Sequence, residues 1–249
     1  ATFFFGFNAE QGPLKGRPQL REALSLAIDR EAITQLVTRA GQSPAYSLVP
    51  PGVWNYSSPT LAWSSQGREA RVARARELYA TSGYSPDKPL RLRVVYNQNE
   101  LIKSVTLATA AMWKEALGVE CELIQLEHRV YLQTRDDRSQ WDVIRLGWSA
   151  DFNDASSFLD TLLSHGVQNH GAWSNAEYDR LIALAHAEPD VALRRDLLQR
   201  AEGIAMADYA VAPVYYYVTR RLVRPDIDAG ELNPLNRNYS RNFRYARKP

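Results

Sequence analysis

The sequence predicts an α/β fold with a mixed sheet flanked by helices, and three observations carry that expectation. Segments that alternate apolar and polar residues at 90–96 and 119–123, and an apolar strand at 141–148, are separated by stretches with apolar residues at 3- and 4-residue steps. The run 211–223 reads as strand directly after strand, which a strictly parallel, doubly wound sheet does not contain. The chain has 249 residues, 45% of them hydrophobic, enough for one large domain or two small ones with a substantial core.

The elements follow in order. Phe3, Phe4, Phe5 and Phe7 form an aromatic β-type run that ends in the turn-forming stretch 12–18. Pro18 suits a first helical turn, and Leu20, Leu24, Ala27 and Ile28 keep one face apolar. Asp29 restarts the helix and Gly41 is placed to end it. Residues 44–63 combine four prolines with Tyr46, Trp54, Tyr56 and Trp63, a long loop pinned by aromatics. Helices are expected at 67–82, stopped by Gly83, and at 100–117, stopped by Gly118. Further helical patterns cover 158–163, 176–186 and 191–207, with Ser174 and Glu177 at capping-box spacing. Strands are expected at 211–218 and 220–223 before an Asn- and Arg-rich end.

Composition excludes several function classes. Thirty Lys and Arg against 28 Asp and Glu leave a net charge of +2, too small a field to imply nucleic acid. Arg237, Arg241, Arg244, Arg247 and Lys248 make the end basic, but no stacking motif accompanies them, so they read as a solvated tail. No stretch approaches the roughly 18 apolar residues that cross a bilayer. One cysteine, Cys121, rules out an internal disulfide and reads as core. No GxGxxG, P-loop, GxSxG or HExxH occurs, and His165 and His170 read as a solvated loop rather than a metal site.

The informative segment is 141–154, an apolar strand running into Asp151 between Trp148 and Phe152. A carboxylate among aromatics at a strand end is suited to holding a cation; equally, Asp151 could cap a helix that begins near Ala155. The segment from Gly147 to Asn153, Gly-Trp-Ser-Ala-Asp-Phe-Asn, resembles the amine-binding segment of the periplasmic oligopeptide-binding proteins of ABC importers, the murein-peptide branch included. Other motifs resemble that family in the same order: Ala23-Leu-Ser-Leu-Ala-Ile-Asp-Arg-Glu31, Pro44-Ala-Tyr-Ser47 with Pro50-Pro51, Ala111-Met-Trp-Lys114 before Leu117-Gly-Val119, and Val211-Ala-Pro-Val-Tyr-Tyr-Tyr-Val218 with Arg221-Leu-Val-Arg-Pro225. The resemblance implies a periplasmic-binding-protein-like type II C-terminal lobe. Residues 1–217 would be the ligand-binding lobe, and 218–249 the terminal strands that return to a missing N-terminal lobe. Family members are about twice this length, so the chain is expected to be a fragment whose absent half holds the signal peptide.

The same resemblance assigns roles. Asp151 would pair with a ligand α-ammonium, and Gly147 and Ser149 would pair their backbone with the peptide main chain. Trp148 would wall a side-chain pocket, Arg145 and Arg135 would meet a ligand carboxylate, and Tyr217 would lie near the hinge. Strand alternation, however, points Arg145 away from Trp148. His128 stands where the family has a tryptophan and Ile102 where one member has a histidine, both expected to face the pocket; Ser149 replaces a cysteine found in some members. The implied protein is a binder of peptides that works with ABC permease subunits outside the cytoplasm and uses no cofactor, metal or nucleic acid. Within the class, a dipeptide, murein peptide, opine-like conjugate or metal chelate is the alternative ligand. From another class, a hydrolase would use Asp151, Asp154 and Asp160 as acid and base.

Overall fold

The computed structural model describes residues 1–230, 233 and 235–245. A six-stranded mixed sheet of order β2-β6-β1-β5-β3-β4 forms its centre. β1 (Thr2–Phe7) lies antiparallel between β5 (Val143–Trp148) and β6 (Val211–Tyr216), while β3 (Arg91–Asn97) runs parallel to both β5 and the edge strand β4 (Glu120–Leu126). The short β2 (Ser43–Pro44) pairs with β6. Because all six β1 residues are buried, its aromatic run serves both faces: Phe3, Phe5 and Phe7 enter one core and Phe4 the other.

Helices cover each face. On the first, α1 (Pro18–Ala27), α3 (Arg68–Thr81) and α4 (Glu100–Leu117) pack around Trp113, whose indole N–H donates to the Leu24 carbonyl at 2.8 Å. α2 (Arg30–Ala32) continues as a π-helical stretch, Ile33–Thr38, which ends on Arg39 at φ 48° rather than on Gly41. On the second face lie α5 (His128–Asp136), α6 (Ser156–Leu159), α7 (Ala176–Ala187) and α8 (Val191–Ala207). Asn175, not Ser174, caps α7, accepting from the Glu177 and Tyr178 amides at 3.0 Å. Cys121 is half-buried on β4, its thiol pushed up to about 12 by burial.

Two buried charges tie the loops down. Arg30 is fully buried and donates to the carbonyls of Ala45, Pro213 and Ser25 at 2.8–2.9 Å, with the Tyr46 and Trp63 rings 5.3 and 5.0 Å from its guanidinium carbon. Its neighbours bind outward: Asp29 caps α2 and pairs with Arg68 at 2.8 Å, and Glu31 pairs with Arg71 at 3.1 Å. Glu202 of α8, also fully buried, accepts from the Leu48 and Val49 amides at 2.9 and 2.8 Å and from the Tyr56 hydroxyl at 2.7 Å. One carboxylate thus fixes the proline-rich loop against the second face.

The expected strand at 220–223 is not formed. After Tyr216 the chain runs over the surface, and the pairing that occurs is β7 (Ile227–Asp228) with β8 (Arg244–Tyr245), away from the main sheet. Leu222, which the strand reading would bury on one face, is fully exposed. Among the tail residues singled out from the sequence, Arg241 lies 4.7 Å over the Tyr239 ring; Arg247 and Lys248 lie outside the described residues.

Glu202→Ala should lower the unfolding free energy by about 3 kcal/mol, since it leaves two buried amides unpaired; urea denaturation measures this, and an unchanged midpoint would contradict the anchoring role. Amides of 219–224 and 226, in a largely exposed stretch outside the main sheet, should exchange hydrogen well before those of β1, β5 and β6. Mass-spectrometric exchange at a dilution where the chain is monomeric tests this, with equal protection as the opposing result.

Candidate functional site

Parallel β3, β5 and β6 end on the same edge of the sheet, where Thr2 of β1 stands opposite both Trp148 and Tyr216. Carboxyl ends of strands are where open α/β sheets place ligands. Larger but shallow hollows exist elsewhere, of about 440 Å³ near Arg91 and Glu120 and about 600 Å³ between α7 and α8. The first lies at the amino ends of β3 and β4 and the second on a helix surface, so neither is at the carboxyl ends of the strands.

Asp151 lies just beyond β5 and is exposed. Its backbone N–H donates to Ser157 Oγ at 2.9 Å and its carbonyl accepts from Arg237 at 2.7 Å, while its carboxylate has no partner among the described residues. The capping role falls to Asp154, whose Oδ1 accepts from the Ser156 amide at 2.8 Å and whose two oxygens hold Arg194 at 2.6 and 2.9 Å. Those bonds hold the Asp154 carboxyl below its ordinary range against the opposing effect of burial. Asp160 is engaged by His186 at 3.0 Å.

Arg145 and Gly147 share the face of β5 opposite Trp148, as alternation requires. The Arg145 guanidinium crosses Gly147 to reach Tyr217 Oη at 2.6 Å, donates to Asn97 Oδ1 at 3.3 Å and lies 4.9 Å over the Phe3 ring. A Cβ at 147 would meet the Thr2 carbonyl oxygen at 3.3 Å and the guanidinium at 3.4 Å, so glycine is what lets that pair close over the strand. β5 pairs with β3 only at Val143 and Ile144, so from Arg145 onward its strand partner is β1 alone. Ser149 follows the strand and is exposed.

Trp148 packs partly against the second core and also lines a recess of about 180 Å³ with His128, Arg135, Tyr131, Thr161, Gln168 and His170. The Trp148 Nε1 and Arg145 Nε atoms are buried without a hydrogen-bond partner among the described residues. His128 is exposed, its ring stacked 6.5 Å from that of Tyr131, whose hydroxyl donates to the Arg145 carbonyl. Arg135 Nε binds Asp136 at 3.0 Å. Ile102, expected at the pocket, is instead buried in the first core, because α4 turns that face onto the sheet.

The far wall of the recess was not visible as a unit in the sequence. Tyr131, Thr161, Gln168 and His170 come from a helix, a 3-10 turn and a loop, and share no spacing. His170 also corrects the solvated-loop expectation: it is buried, 3.2 Å from Asp136, with its carbonyl accepting from Arg138 at 2.8 Å. Burial, aided by Arg135 and Arg138, pushes its imidazole down to about 4. The unfolded chain therefore takes up a proton near 6.5 that the folded chain refuses until about 4. Stability from this group should be complete above pH 6.5 and decline as the pH falls toward 4. Urea titrations across that window test this, and an unaltered slope in His170→Gln would contradict it.

Comparison with known proteins places this geometry. Residues 1–170 match the family described as bacterial extracellular solute-binding proteins, family 5 Middle. The chain is 35% identical to the periplasmic oligopeptide-binding protein OppA of Escherichia coli K12, over 97% of this chain and 44% of the relative. It is 34% identical to the periplasmic murein peptide-binding protein MppA of the same organism, over 96% and 44%. Among solved structures, the murein tripeptide binding protein MppA of E. coli superposes with a TM-score of 0.90 at 33% identity, over 98% of this chain and 48% of that one. Haemophilus influenzae OppA in complex with RPPGFSPFR gives 0.88 at 32%, over 98% and 48%. The chain thus spans somewhat under half the length of these relatives, and its mixed sheet with flanking helices has the fold of periplasmic binding proteins. It belongs to the bacterial extracellular solute-binding proteins of family 5.

Proposed function

We propose that this chain is the amine-gripping lobe of an extracytoplasmic receptor that binds oligopeptides and delivers them to an ABC permease. The observation that carries the reading is Asp151: a carboxylate exposed at the end of β5, without a partner among the described residues, beside an aromatic recess and a strand with one free side. Its role is to take the ligand α-ammonium. Backbone groups near Gly147 and Ser149 continue the grip as strand addition, which is indifferent to side-chain identity. Arg145 and Tyr217, already joined, stand where a ligand carboxylate or a closing hinge would meet them. The names of the relatives, binders of oligopeptides and of murein peptide, support this ligand class.

In this reading 1–217 form the lobe and 218–249 lead toward a facing lobe that closes over the ligand. Among the described residues no helix is long and apolar enough to cross a membrane; in this reading transport across it is the work of the permease. Binding without turnover is favoured over hydrolysis because Asp154 is held by the Arg194 guanidinium and Asp160 by the His186 imidazole, so both candidate partner acids are already engaged.

A half-open cleft stays wet, and the Asp151 pair then contributes about 0–1 kcal/mol, rising to about 3–5 kcal/mol where a facing wall excludes water. This chain alone should therefore bind peptides weakly. Nuclear magnetic resonance titration with free-amine and N-acetylated tripeptides should show a preference of up to about fivefold for the free amine, abolished by Asp151→Asn. Equal shifts for both peptides in the unsubstituted chain would overturn the assignment.

A further inference from the structure

We propose that the outer face of the α7–α8 hairpin docks a second copy of this chain, forming a weak two-fold symmetric dimer. The face lies away from the strand ends, and the inference stands whether or not those ends take peptides. An amphipathic helix turns its apolar stripe to the core and polar residues to water. The inner stripes obey this: Leu181, Ile182 and Ala185 of α7 and Leu198 and Ala201 of α8 are buried in the second core. The outer faces depart from it. Leu184 and Leu193 are 43% and 56% exposed, and with Ala187 and Leu197 they line the groove of about 600 Å³ between the two helices. Apolar surface gathered in one hollow, rather than scattered singly, marks a contact site.

The charges at the two ends of the groove name the occupant. At the hairpin tip, Glu188 accepts from the Asp190 amide at 2.9 Å, and its carboxylate has no cation partner among the described residues. Asp190 stands beside it as the cap of α8, so this end is acidic. The other end, about 14 Å along α8 at 1.5 Å per residue, is basic. There Arg180 holds Glu177 through two hydrogen bonds at 2.7 and 2.8 Å. Arg200, 3.7 Å from the same carboxylate, is left without a hydrogen bond among the described residues. Midway, Asp196 is already paired with Arg195 at 3.1 Å. A leucine-lined middle between a spare acid and a spare base is complementary to itself. A half-turn about an axis between Leu193 and Leu197 lays leucines on leucines and brings each Glu188 to the Arg200 of the other copy, so the contact is made twice. A partner of one charge sign would be attracted at one end and repelled at the other.

A hairpin face is small beside the interfaces of permanent dimers, so the Kd should be on the order of 100 μM, weakening as salt is raised. Sedimentation velocity on this chain, over a concentration series reaching about 1 mM, reads the association. Leu193→Asp, at an exposed position, should abolish it with the circular dichroism unchanged. Glu188→Arg and Arg200→Glu each set like charges against one another at both contacts, and each should weaken association about tenfold or more. An equimolar mixture of these two variants should recover it. In the mixed pair the two reversals face each other and the second contact joins unaltered residues, which loss of folding in either variant could not imitate. A chain that sediments as a monomer throughout would leave the groove to a different protein and overturn the proposal. Association that survives Leu193→Asp and both reversals would place the contact elsewhere and overturn it too, as would a mixture that stays monomeric.

Discussion

The site depends on where one strand is inserted. β1 lies between β5 and β6 and is antiparallel to both, so Thr2 sits opposite Trp148 on one side and Tyr216 on the other. Two strands that are more than sixty residues apart in sequence are thereby made parallel, and both end on one edge. β3, parallel to β5, brings Asn97 to the same edge. A one-residue slip in β1 would carry Phe4 to the face of Phe3 and Phe5 and move the two strand ends out of line. The buried aromatic run forbids it, since each of its rings has a place in one core or the other.

On that edge the polar groups are divided rather than paired. The arginine reaches over Gly147 to a tyrosine and an asparagine, and the aspartate stands a few residues further with its carboxylate in solvent. Elsewhere in the chain acids and bases find one another readily: Asp154 with Arg194, Asp142 with Arg93, Glu31 with Arg71. Exposed charge is ordinary on a surface, but charges of both signs left apart at converging strand ends are suited to a zwitterionic ligand.

The sequence was most legible where local signals and packing agree. The helix at 100–117 ends on Gly118 in the left-handed region, a stop readable from that single residue, while its N-cap, Asn99, came only with the structure. The alternating strands appeared for the same reason, each burying one face or both. Residues 220–223 were expected as a strand as well, yet they find no sheet edge and lie on the surface; local sequence records what a segment can bury, not whether a partner is present. α5 was missed because four of its nine residues are exposed polar ones and its cap, Glu127, looks like any surface acid. Within the site, Asp151 and Trp148 were found through a contiguous motif. His170 and Thr161 reach the recess only through the tertiary fold, and Ile102 was misplaced because resemblance marks a position but not the rotation of its helix.

The central claim is that the free carboxylate of Asp151 is the anchor for a ligand amine. A crystal structure of this chain soaked with a free-amine tripeptide tests it most directly. The account predicts the ammonium within about 3 Å of an Asp151 oxygen and the peptide backbone running alongside the end of β5. A peptide bound with its amine in solvent, or seated elsewhere while Asp151 stays unoccupied, would contradict it.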